Sequence, residues 1–201
     1  MDLSLHYSGN FNPSTSLPVM IEEVKDIAEV FKWKYFVFEE EFPANSIGKT
    51  EYNQDIYGIC FSPPNSEPID LCFLSNGRMS SIINLNLYGN SKNKEKAEFL
   101  YMLSTKTQYG GVEIHKLIIH LLKYLSGKYL QNFSFVDEGQ YWETGDEELL
   151  QKIFKRYTEL INNFASSFEN FPIKQGETFE EYFERLMKHI HKNLRKNVYA
   201  N

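Results

Sequence analysis

The chain has 201 residues, enough to bury a core without help from disulfides or metal, and is expected to form one domain over 1–201. Hydrophobic residues make up 42% and charged residues 24%, which is ordinary globular usage. Lys and Arg number 21 against 27 Asp and Glu, and the net charge of −6 argues against a general nucleic-acid binder, which must neutralise phosphates with a basic face.

The first periodic segment runs from Leu17 to Phe31. Met20, Ile21, Val24, Ile27, Ala28 and Phe31 recur at helical spacing, with Ser16 placed to cap and Pro18 tolerated in the first turn. Before it, Leu5 to Pro13 reads as an extra edge strand followed by a turn. After it the period becomes two. Tyr35–Phe38, Ile56–Phe61, Ile69–Leu74 and Arg78–Leu87 read as strands, and Asn76-Gly77 supplies the positive φ angles of a tight hairpin between the last two. A further strand is expected over Glu98–Thr105. Short links imply antiparallel pairing, since a parallel pair needs a crossover of a dozen residues or more.

Gly110-Gly111 then opens a helix over Val112–Leu130 that is apolar on most sides and belongs in the interior. Phe133–Val136 adds an edge strand. Thr144 with Glu147, and Thr178 with Glu181, have capping-box spacing, and each pair precedes an amphipathic run. The expected architecture is α+β: an antiparallel meander of five or six strands, an N-terminal helix, and three helices from the C-terminal half packed on the sheet.

Two segments could carry chemistry. In the first, Gln108, Tyr109, Gly110, Gly111 and Glu113 lie at a strand-to-helix junction, where glycines admit a ligand and free amides attract an anion. A tight turn explains the same glycines, and neither phosphate-loop spacing is present. Glu113, Lys116, His120 and Lys123 share one face of the following helix, while His115 points among apolar residues, where a histidine is more often a satisfied core group than a ligand. The second segment runs from Asp137 to Asp146 and holds Glu138, Tyr141, Trp142 and Glu143. Helix capping accounts for its downstream half, and general acid–base work or hard ligation of magnesium or calcium, without calcium-loop spacing, is the rival reading for its carboxylates. His189 and His191 are two apart on a helix, point to different sides, and are not expected to hold a metal.

Cys60 and Cys72 sit in apolar segments and read as reduced core thiols. No secretory signal, membrane span, cofactor motif or metal-finger spacing is visible, so the expectation is a cytoplasmic protein with neither cofactor nor metal. The function expected from these features is a module that binds a protein partner or small ligand, with an immunity-type protein that neutralises a basic toxin as one form. The alternative is a small hydrolytic or metal-assisted enzyme using His115 with Glu138 and Glu143.

Overall fold

Helix α1 (Leu17–Val30) buries Leu17, Met20, Ile21, Val24 and Ala28 along one stripe, as its periodicity requires. The computed structural model describes residues 3–169 and 171–198. Each buried Leu, Ile, Met or Val on that stripe contributes about 1.5–3 kcal/mol by leaving water. Ser16 makes no side-chain cap; its carbonyl instead accepts from Met20 N–H at 3.1 Å.

Two compact units make up the chain, Met1–Phe154 and Lys155–Asn201. The first is α+β. Strand β1 (Ser4–Phe11) precedes α1; β2 (Lys34–Val37), β3 (Tyr57–Ser62) and β4 (Ile69–Phe73) follow it. Next come the short helices α2 (Ile82–Tyr88) and α3 (Lys94–Glu98), a 3₁₀ turn at Phe99–Tyr101, β5 (Leu103–Lys106), α4 (Gly111–Tyr129), β6 (Leu130–Asp137) and α5 (Tyr141–Thr144). Helix α6 (Glu147–Glu169) crosses the boundary between the units.

The strands form two antiparallel sheets of three, ordered β5-β1-β6 and β2-β3-β4, in place of one meander. β1 is central and not an edge, because it pairs with segments about a hundred residues away, which local pattern does not reveal. The Asn76-Gly77 turn forms, but only Gly77 takes a positive φ, 82°; Leu74 N–H donates to Arg78 O at 2.9 Å. The expected strand beyond it shrinks to two bridges, Phe73 with Met79 and Asn10 with Arg78, which join the second sheet to the end of β1. Ser81 then accepts a hydrogen bond from Asn84 N–H and starts α2, so Ile82–Leu87 is helical despite its alternation. Likewise only the end of the expected Glu98–Thr105 strand is extended, as β5.

Ile56, Cys72 of β4, Leu74, Leu85 and Leu100 form one core cluster. Both thiols are unbridged, and burial pushes each of them up, which removes thiolate character.

The second unit contains the rest of α6 and helix α7 (Phe179–Val198). Thr178 and Glu181 form the expected capping box, with Glu181 N–H on Thr178 Oγ1 at 3.3 Å and Thr178 N–H on Glu181 Oε2 at 2.9 Å. Tyr182 and Leu186 are its buried centre. The side chains of Phe164, Phe168, Ile190, His191 and Leu194 lie outside the described residues. No described helix is long and apolar enough to cross a membrane.

Candidate functional site

The two loops singled out in the sequence meet in space, and a buried polar knot joins them. His115, in the first turns of α4, places Nε2 3.1 Å from Asp137 Oδ1, with both side chains fully shielded from water. Thr107 Oγ1 lies 2.7 Å from His115 Nδ1. A carboxylate can only accept, so the Nε2 side of the ring carries a proton where it faces Asp137. The Nε2 contact is close but poorly aligned for a hydrogen bond.

Asp137 ends β6 and turns its carboxylate onto the loop that follows. Oδ1 accepts from Gly139 N–H at 2.7 Å, and Oδ2 from Tyr141 N–H at 2.7 Å and Trp142 N–H at 3.0 Å. Burial pushes this carboxyl up, but His115 and the amides outweigh burial and hold it below the ordinary carboxylate range. β1 runs between the halves: Thr107 N–H donates to Leu3 O, and Glu138 N–H to Ser4 O. With its ring fully buried between Thr107 and Asp137, His115 helps hold α4 to the β6–α5 loop.

The remaining expected residues surround this clamp in different roles. Gln108 Oε1 accepts from Leu3 N–H at 3.0 Å, and Glu138 Oε2 from Ser4 N–H at 2.8 Å, so both secure the start of β1. The carboxylate beside His115 is thus Asp137, whereas Glu138 turns to Ser4 and His6, and Glu143 is exposed on α5. Tyr109 is exposed. Gly110 is tightly packed, since a Cβ there would lie 2.6 Å from Ser66 Oγ, while Gly111, at φ 80°, opens α4 in free space. Glu113 and Lys116 form part of the expected polar stripe, and Lys116 Nζ also reaches Glu147 at 2.7 Å. Tyr141 is buried beside His120, and Trp142 stacks on Phe135 at 4.1 Å under Lys123. Asp146, not Thr144, caps α6, accepting from Leu149 N–H at 3.0 Å.

An open cleft of ≈ 610 Å³ lies elsewhere, at a break in the β1–β6 ladder. Ser8 pairs with Ser134 but Asn10 with Gln131, so one extra residue bulges from β6, and Asn132 takes φ 51°. The cleft is lined by Ser8, Asn10, Arg78, Glu98, Tyr101, Met102 and Asn132, with Gly9 in its floor. The Arg78 guanidinium carbon lies over the Tyr101 ring, 3.2 Å from its centroid. Among the described residues neither Arg78 nor Glu98 makes an ion pair, although both line this space. Sequence reasoning misses the cleft. Its one linear signal is that Arg78 is the only Lys or Arg between Lys49 and Lys92.

No protein-family model, curated protein or solved structure matches this chain.

Proposed function

We propose that the protein is a binding module whose cleft takes a small zwitterion of amino-acid type, with its carboxylate on Arg78 and its ammonium toward Glu98. The observation that carries this reading is the pair of opposite charges lining one cleft without neutralising each other. Tyr101 holds the guanidinium over its ring, which leaves N–H groups for a planar, bidentate acceptor. The side-chain amides of Asn10 and Asn132 add donors and acceptors, and Met102, 59% exposed, offers an adaptable apolar rim. Enzymatic use of His115 is disfavoured by its complete burial. Unbridged cysteines suit the reducing cytoplasm as the place of action.

Thermal unfolding against the free amino acids, their N-acetyl forms and their amides tests this. A ligand at about 100 times its dissociation constant adds roughly 2.7 kcal/mol, which raises the midpoint by several degrees. The expected result is a shift with one or a few free amino acids, lost on acetylation, on amidation, and in Arg78→Ala and Glu98→Ala. A flat panel, or a shift that survives Arg78→Ala, overturns the reading.

A further inference from the structure

The edge strand β2 carries three consecutive apolar residues, Tyr35, Phe36 and Val37, and ends the second sheet. Phe36 is 59% exposed. Phe38 N–H donates to Gly58 O, and the register continues Phe36 with Cys60 and Lys34 with Ser62. Hydrogen-bonded pairs alternate along an antiparallel ladder, so Tyr35 and Val37 turn their backbone N–H and C=O groups away from β3, toward the open edge. Natural edges of this kind are normally blunted by a charge or proline inside the strand. Here the one charge inside β2 is Lys34, its first residue, and the charges around the apolar run are segregated. Lys32 and Lys34 are at one end, and Glu39, Glu40 and Glu41 at the other, all exposed.

We propose that two copies of this chain pair antiparallel through β2, with Phe36 at the two-fold axis and the lysine end of each strand facing the glutamate end of the other. Antiparallel self-pairing is the arrangement in which a strand with opposite charges at its two ends complements itself. Centring on Phe36 sets Tyr35 opposite Val37 of the second copy, so that the outward backbone groups of both strands meet. Phe36 falls opposite Phe36 of the second copy, in the close, non-hydrogen-bonded type of pair. Lys34 falls opposite Phe38 of the second copy and diagonal to Glu40. Phe36 and Phe38 already touch edge-to-face at 4.8 Å, so the interface would enclose four rings. This pairing is independent of the cleft at Arg78.

Sedimentation or light scattering on the full chain reads the outcome. The expected species has twice the 23.6 kDa of one chain. Val37→Pro removes an outward N–H without touching the β3 ladder and weakens the dimer about tenfold or more. Two charge variants provide a second test at exposed positions: Glu39→Lys/Glu40→Lys/Glu41→Lys and Lys32→Glu/Lys34→Glu. Each alone repels itself and runs as a monomer, and mixing the two restores a dimer. A wild-type chain that stays monomeric up to about 100 µM overturns the proposal. So does a dimer unaffected by Val37→Pro, or a failure of the two charge variants to associate with each other.

Discussion

His115 and Asp137 stand 3.1 Å apart in a region sealed from water, and through them the start of α4 is tied to the loop that closes β6. The carboxylate serves three backbone amides besides the imidazole, so it organises more structure than the histidine does. Asp137→Asn keeps the shape but sets an NH₂ group against at least one of those N–H donors. The expected cost is about 1.5–3 kcal/mol, the range for hydrogen bonds to a charged group. His115→Leu leaves the amide bonds intact and should cost less, about 1–2 kcal/mol, for the lost Thr107 partner. Urea unfolding midpoints measure both. A loss in Asp137→Asn smaller than that in His115→Leu would mean that the turn does not depend on the carboxylate.

Gly139 sits where the clamp is tightest. A Cβ there would come within 2.8 Å of His115 Nε2 and of Leu150 Cδ1, and within 2.9 Å of Asp137 Oδ1. His115 and Asp137 cannot withdraw without breaking the knot. Gly139→Ala should therefore destabilise by about 1–3 kcal/mol, the usual range for overpacking. Gly127, inside α4, is open on its side-chain side, with nothing within 4 Å of the point a Cβ would occupy. Gly127→Ala should stabilise by about 0.5–1 kcal/mol through helix propensity alone. Opposite signs for the same change, read as thermal midpoints, test the packing directly.

What is legible in the sequence follows a physical division. Helices α1 and α4, strands β3 and β4, the Asn76-Gly77 turn and the Thr178–Glu181 box are set by local periodicity and local hydrogen bonds, and they can be read directly. Residues 82–87 alternate Ile/Leu with Asn and so read as a strand. The Ser81 cap and the bonds from Asn84 Nδ2 to Phe99 O and Met102 O override that pattern, leaving Ile83 and Leu87 exposed on a helix. The central place of β1 depends on partners about a hundred positions away. The two candidate loops are visible in the sequence, but their junction is not. Asp137 looks like one of several loop carboxylates, and only its contacts separate it from Glu138 and Glu143. The cleft at Arg78 arises from a bulge at Asn132 that no local motif announces.

Asp70 offers a prediction in pH. It lies on β4 opposite Cys60, and burial pushes its carboxyl up to about 6. An unfolded aspartate titrates near 3.9. The folded state therefore holds the proton more tightly between about pH 4 and 6, and this group's contribution to stability falls as pH rises through that window. At neutral pH the ionised, mostly buried carboxylate should cost about 1–3 kcal/mol, a range that allows for its remaining access to solvent. Asp70→Asn removes the charge while nearly preserving shape. Unfolding free energies of the two proteins should then differ most at pH 7, in favour of the variant, and converge near pH 4. Asp137 has the opposite sign: its depressed carboxyl stabilises above the unfolded value, and that contribution is lost only as pH falls below about 4. A wild-type minus variant difference that stays constant from pH 4 to 7 would show that Asp70 titrates as an ordinary exposed carboxylate.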